Sequence, residues 1–139
     1  MPNLIPEDLD KAAQRGEPSH VWRAGQERRF AMLKKAAGER LNGLVLVDGS
    51  GVGMYLSRLV PVSGKVVGFD IELPRVQDCR VFSPNTYCAA GEHIPHPENT
   101  FDLVFSHEVL EHVQDDQLAI QEMVRVLKPG GRIVLFCPN

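Results

Sequence analysis

With 139 residues, 43% of them hydrophobic and 24% charged, and a net charge of -3, the chain has the size and composition of one folded domain that can bury a core without disulfides or metal. The slight negative charge gives no electrostatic case for nucleic acid or an anionic membrane as partner, and no segment approaches the length of a membrane span. Residues 1–10, with three acids and two prolines, lack the basic start and apolar run of a signal peptide, and Cys79, Cys88 and Cys137, odd in number and without metal-ligand spacing, read as reduced thiols, so a cytoplasmic protein is expected.

Residues 1–19, through Glu17-Pro18-Ser19, are expected to be loose or only partly helical, and residues 20–139 to form the domain. From His20 to Leu41 the chain is rich in Ala, Arg, Glu, Lys and Leu, and Trp22, Phe30, Leu33, Ala37 and Leu41 fall at helical spacing, which predicts an amphipathic helix closed by Asn42-Gly43. Leu44 to Val47 then reads as a buried strand, and Asp48-Gly49-Ser50-Gly51-Val52-Gly53 as a tight turn whose backbone can touch a ligand. Met54 to Val60 predicts a short helix, broken by Pro61-Val62-Ser63-Gly64. Val66 to Phe69 is a second strand ended by Asp70, Glu72 to Arg80 a helix with Pro74 tolerated in its first turn, and Thr86 to Ala90 a third strand.

Gly91 to Thr100 carries Pro95 and Pro97 and cannot be a helix interior, so it is expected to be an extended crossover. A lateral step of three strand spacings is about 14 Å, and ten extended residues reach about 33 Å, so the crossover can carry the chain from an edge strand to one beside the first. Phe101 to Ser106 and Gly131 to Cys137 are expected as strands four and five, continuous apolar runs suited to a parallel sheet covered on both faces. Between them, Gln114 to Leu127 has Leu118, Met123, Val124 and Leu127 at helical spacing, with Asp115 or Asp116 placed to cap it.

The glycines and Asp70, twenty-one positions after Gly49, have the spacing of a nucleotide-binding turn followed by a carboxylate for ribose hydroxyls. A dinucleotide fingerprint wants G-x-G-x-x-G, and Met54 stands where its third glycine belongs, which disfavours an NAD-dependent oxidoreductase. The G-x-G-x-G pattern resembles motif I of the class I S-adenosylmethionine-dependent methyltransferases. Gly68-Phe69-Asp70-Ile71, Phe101-Asp102-Leu103-Val104, Leu110-Glu111-His112-Val113 and Arg125-Val126-Leu127-Lys128-Pro129-Gly130-Gly131 are similar to that family's later segments, especially in its type 11 branch, over roughly Gly43 to Asn139.

The resemblance implies an α/β fold, a Rossmann-like doubly wound parallel sheet of about five strands in the order 3-2-1-4-5 lacking the family's last two, with the ligand crevice at the carboxyl ends of strands one and four. It also implies S-adenosylmethionine as cofactor and methyl transfer to an unidentified, small-molecule acceptor. Gly49, Ser50, Gly51 and Gly53 would meet the methionine part and ribose through their backbone, Asp70 the ribose hydroxyls, and Ile71 the adenine face, with Asp48 a further cofactor-binding candidate. The family's acid two residues before the first glycine is replaced by Val47, so the displaced Asp48 is expected to point to the opposite side of its strand. The acid that often follows strand three is replaced by Ala90, leaving the Gly91 backbone or Glu92 to meet the adenine.

Ser106 and His107 would line the methionine end, where His107 is a candidate catalytic base with spacing and hydrogen bonding as its alternative role. His107 and His112 are five apart, about 140° around a helix rather than on one face, so no metal site is expected. His93 and His96 read as solvent-facing or beside substrate, and Trp22, Arg23 and Arg29 as packing or solvated residues on the first helix. Strand five would be an open edge, which a homodimer would cover. A cofactor-binding core without catalysis, or a fragment, is the alternative to an active enzyme.

Overall fold

The computed structural model describes residues 21–137, so the expected loose segment 1–19 and the start of the first helix at His20 lie outside them. Helix α1 spans Ala24–Ala37, entered through Arg23, whose backbone N–H donates to Gln26 Oε1 at 2.9 Å. It buries Phe30, Leu33 and Ala37, as the spacing predicts. The single helix expected through Leu41 breaks at Gly38, where φ is 56°, and one 3-10 stretch, Gly38–Asn42, completes the descent to the sheet and buries Leu41. A residue in the left-handed region ends an α-helix, and nothing in the local hydrophobic pattern announces it.

Strand β1 (Leu44–Asp48), α2 (Met54–Leu59), β2 (Lys65–Asp70), α3 (Leu73–Cys79), β3 (Thr86–Cys88), β4 (Phe101–His107), α4 (Asp116–Val126) and β5 (Leu127–Phe136) follow in alternation. The five strands are parallel and lie in the order β3-β2-β1-β4-β5. Successive residues of β1 face opposite ways, as a pleated strand requires. Val45 and Val47 join Leu103, Phe105 and the α1 and α2 residues Phe30, Leu33, Leu56 and Leu59 in one apolar layer. Leu46 joins Val67, Phe69, Val104 and the α4 residues Met123 and Val126 in the other. Each such side chain contributes about 1.5–3 kcal/mol by leaving water.

Two elements differ from expectation. Helix α4 turns Ala119, Met123 and Val126 inward and leaves Val124 57% exposed, so the buried stripe is rotated from the one read in the sequence. Its start agrees with the capping residue, since Asp115 Oδ1 accepts from Leu118 N at 3.0 Å. Strand β5 begins at Leu127 rather than Gly131, pairs first with Phe101, and shifts register before Arg132 to Phe136 run beside Leu103 to His107. It is an edge strand among the described residues, so its pattern is partly exposed rather than covered on both faces.

The proline-containing crossover is non-helical, as expected, but runs through turns and bends rather than as extended chain, and it is fixed to α4. Arg125 donates from Nη1 to His96 O at 2.7 Å and from Nη2 to Ile94 O at 2.8 Å, while it also pairs with Glu122. Glu122 Oε1 accepts from Ile94 N at 3.2 Å, and His96 Nε2 lies 2.5 Å from the Tyr87 hydroxyl. These bonds hold the middle of the crossover, Ile94 to His96, against α4 and β3. Replacing Arg125 by Met keeps much of the stem and removes the donors, and denaturant titration is expected to read a loss of about 2 kcal/mol, the scale of charged hydrogen bonds.

Candidate functional site

A cavity of about 870 Å³ opens at the carboxyl ends of β1 and β4, where the sheet order sends neighbouring connections to opposite faces. Its floor is the turn between β1 and α2. Gly49, Gly51 and Gly53 have φ of 72°, 55° and 90°, angles that side chains rarely adopt. A Cβ on Gly49 would sit 2.3 Å from Val109 Cγ2, whereas one on Gly51 would meet nothing within 4 Å, so Gly51 leaves open space beside the backbone.

The turn is held from below and from the side. Ser50 N donates to Phe69 O at 2.9 Å, and Gly51 N donates to Asp70 Oδ2 at 3.0 Å, while Asp70 Oδ1 accepts from Glu72 N at 3.0 Å ahead of α3. The buried Cys79 thiol of α3 donates to Gly51 O at 3.0 Å. Burial pushes its pKa up, which keeps the thiol in the protonated form that this bond needs.

Asp48 ends β1 on the face opposite Val47, toward Ala119 and Gly91, and is 1% exposed. Its Oδ1 has no hydrogen-bond partner. Burial first, and then the negative charges of Asp70 and Glu92, push its carboxyl up to about 7. Ser106 is its register partner on β4 and is likewise buried with its hydroxyl unpartnered.

At the end of β4 the side chain of His107 lies on the other face. Its ring is 4.9 Å from that of Tyr55 and 6.0 Å from that of Phe136, and Tyr55 in turn meets Trp22 at 5.0 Å. His107 Nε2 is buried without a partner, and the Tyr55 hydroxyl lies near the Arg29 guanidinium. Burial holds the His107 pKa below its ordinary value; Glu108 opposes that, Arg29 reinforces it and Glu111 opposes it. A neutral imidazole with an unpartnered ring nitrogen can accept a proton. Glu108, next along, has φ of 55°, a strained angle for a residue with a side chain, and its N–H is held by Phe136 O at 2.8 Å.

Of the residues singled out in the sequence, Asp48, Gly49, Ser50, Gly51, Asp70, Ile71, Gly91, Glu92 and His107 lie on the cavity wall, and Gly53 and Ser106 do not. Gly53 is turned toward Phe82 and Cys79 as the residue before α2, and Ser106 points with Val104 into the layer beneath. Ile71 is 70% exposed at the rim. His93 and His112 are also wall residues, whereas His96 packs between Tyr87 and Phe101. Gln26 and Tyr55 are wall residues that the sequence did not single out. Tyr55 is the second residue after the glycine turn, and that nearness was the available signal; Gln26 carried none, because its place depends on how α1 crosses the sheet.

A family model described as a methyltransferase domain, of type 11, matches residues 46–135. A protein of Mycolicibacterium smegmatis named as a probable S-adenosylmethionine-dependent methyltransferase is 28% identical over 140 residues, covering 99% of this chain and 54% of that protein. The ubiquinone/menaquinone biosynthesis C-methyltransferase UbiE of Pasteurella multocida is 36% identical over 111 residues, covering 72% of this chain and 41% of its own length. The chain thus spans about half the length of the curated relatives it matches. Among solved structures, the YcgJ protein of Bacillus subtilis superposes with a TM-score of 0.73 at 25% identity, over 78% of this chain and 50% of that one. An Aquifex aeolicus protein described as an S-adenosylmethionine-dependent methyltransferase shares the fold, with a TM-score of 0.68 at 21% identity over 96% of this chain and 72% of that one.

The raised Asp48 carboxyl has a consequence measurable without any ligand. An acid whose folded pKa lies near 7 against 3.8 in the free state holds a proton in the native protein that the unfolded chain has released, so stability falls as pH rises between those values. The expected decline from pH 5 to pH 8 has a ceiling on the order of 3 kcal/mol. Asp48→Asn, which carries no charge, is expected to flatten that decline in urea titrations and to be the more stable protein at pH 8.

Proposed function

Because the chain belongs to the type 11 methyltransferase domain family, we propose that this domain binds S-adenosylmethionine in the cavity and transfers its methyl group to a small organic acceptor. The observation that carries the reading is the open, left-handed glycine turn whose Gly51 N–H is anchored by Asp70. Asp70 spends one hydrogen bond per oxygen on the protein, and a carboxylate can accept about four, so capacity remains for a ribose diol. Exposed Ile71 offers apolar surface to a flat base, with the Gly91 backbone and Glu92 across from it. The volume lies within the range of about 300–1,000 Å³ usual for small-ligand sites. The unpartnered carboxyl oxygen of Asp48 and the acids around it suit a ligand bearing positive charge.

When bound, the cofactor supplies a methyl group already activated on a positively charged sulfur. The work left to the chain is alignment, which can lower a barrier by about 7–11 kcal/mol in favourable cases, and removal of the acceptor's proton. His107, neutral and with Nε2 unpartnered, takes the second role in this reading, and the rings of Tyr55, Phe105 and Phe136 surround it. The UbiE relatives favour a ring carbon of a quinone precursor as acceptor. Such a carbon becomes nucleophilic once a neighbouring hydroxyl has given up its proton, the task assigned to His107.

We assign residues 20–139 to one cofactor-binding unit, and its free thiols suit a cytoplasmic protein. A second copy is the proposed cover for the β5 edge, where Leu135 and the α4 residues Ile120 and Val124 are exposed. Light scattering at tens of micromolar is expected to give twice the chain mass, and a monomer overturns that assignment.

Thermal unfolding with S-adenosylmethionine, S-adenosylhomocysteine and NAD in parallel tests the cofactor. Ligand at a hundred times its dissociation constant is expected to add about 2.7 kcal/mol for the first two and nothing for NAD. Asp70→Ala is expected to weaken both by at least about tenfold, the worth of one or two hydrogen bonds to a charged group. Formation of S-adenosylhomocysteine from a quinol precursor separates an enzyme from a binding core.

A further inference from the structure

We propose that Asp48 makes the site select a positively charged ligand over its neutral counterpart, so that the methyl donor is retained and the demethylated product released. This rests on the cofactor reading above and concerns what distinguishes the two ligands, which differ by one methyl group and one positive charge.

Asp48 is buried at the wall, with Oδ1 unpartnered, and the groups around it come from every neighbouring element. Strand β2 contributes Asp70, the crossover contributes Glu92 and Gly91, β3 contributes the Tyr87 phenol, β4 contributes the Ser106 hydroxyl, and α4 contributes apolar Ala119. Both charges that act on it are negative. A carboxylate held away from water without a counter-charge stays neutral by keeping its proton, and this one does so near neutral pH. The nearby guanidinium on the cavity wall, that of Arg75, is paired with Glu72 at 2.9 Å and is not among the charges that act on Asp48.

A cation entering the cavity supplies the missing counter-charge, and Asp48 then gives up its proton. The demethylated product lacks the sulfonium charge and supplies less counter-charge, so Asp48 stays more protonated beneath it. The linkage is reciprocal: a cation that favours the ionised carboxyl is itself bound more tightly once the carboxyl is ionised. An opposite charge within about 4–6 Å lowers a carboxyl's pKa by about 1–3, and each unit is a factor of about ten in relative affinity. Selection is therefore weaker at pH 6, where the donor has to displace the proton that the free carboxyl still holds, and stronger at pH 8, where the free carboxyl has already lost it. The amino group common to both ligands is a cation in each over most of this range and bears on both affinities, so the ratio reports chiefly the sulfonium charge.

The test is isothermal calorimetry with S-adenosylmethionine and S-adenosylhomocysteine on the full chain and on Asp48→Asn between pH 6 and pH 8. For the wild type, the ratio of product to donor dissociation constants is expected to rise about tenfold across that range. In the variant the ratio is expected to stay flat, below the wild-type value at pH 6. A second measurement needs no variant: titrations at pH 7 in two buffers of different ionisation enthalpy are expected to show about half a proton released on binding the donor and less on binding the product. Both ligands binding with an unchanging ratio, or with equal proton release, overturns the selection by Asp48 and leaves the cofactor reading standing. Failure of the folded wild type to bind either ligand overturns both.

Discussion

The hydrogen bond from Gly51 N to Asp70 Oδ2, 3.0 Å long, ties the turn after β1 to the end of β2, and the geometry of the site follows from it. The turn runs through left-handed backbone angles that cost little in glycine but leave the chain many alternatives. Something outside the turn has to choose among them. Asp70 does so from a position fixed by the parallel pairing of Asp48 with Phe69 in register, and Ser50 N extends that pairing to Phe69 O. The Cys79 thiol adds a third tie from α3. Two strand ends and one helix thus converge on three backbone atoms, Ser50 N, Gly51 N and Gly51 O, which gives a flexible sequence one conformation.

Around that turn the sheet alternation divides labour between its faces. Residues of β1 and β4 that point toward α1 end in His107, within an aromatic set that includes Tyr55, Trp22 and Phe136. Residues that point toward α4 end in Asp48 and Ser106, both buried and polar. One side of the cavity is therefore suited to proton transfer beside flat apolar groups, and the other to charge. This separation follows from the period of two along each strand, so a shift of one residue at either strand end would exchange the two chemistries.

Much of this was legible in the sequence where it depends on short stretches of backbone. The strand, glycine turn and distant Asp70 come from local geometry and the length of one βαβ unit, and the five strands are near their expected places because parallel buried strands need unbroken apolar runs. The displaced position of Asp48 also foretold its face. What stayed hidden depends on tertiary contacts: the break at Gly38 has no hydrophobic signature, and the α4 stripe is decided by which residues the sheet and crossover cover. Gln26 and Tyr55 reach the cavity only because α1 and α2 cross the sheet ends at particular angles. The early start of β5 arises from a register shift opposite Phe101, which apolar patterning does not encode.

The buried carboxyl at the end of β1 is a poor choice for stability alone. An apolar residue there would continue the layer of Leu46 and Val104 and leave no unpartnered oxygen, and such replacements commonly stabilise a protein. The neighbouring Asp70 and Glu92 make ionisation harder still. Each penalty is lifted by the same event, arrival of positive charge in the cavity beside them. Groups that raise the energy of the empty site and lower that of the charged complex increase the difference between the two states from both ends, and that difference, rather than the strength of any single contact, sets which ligand the cavity keeps.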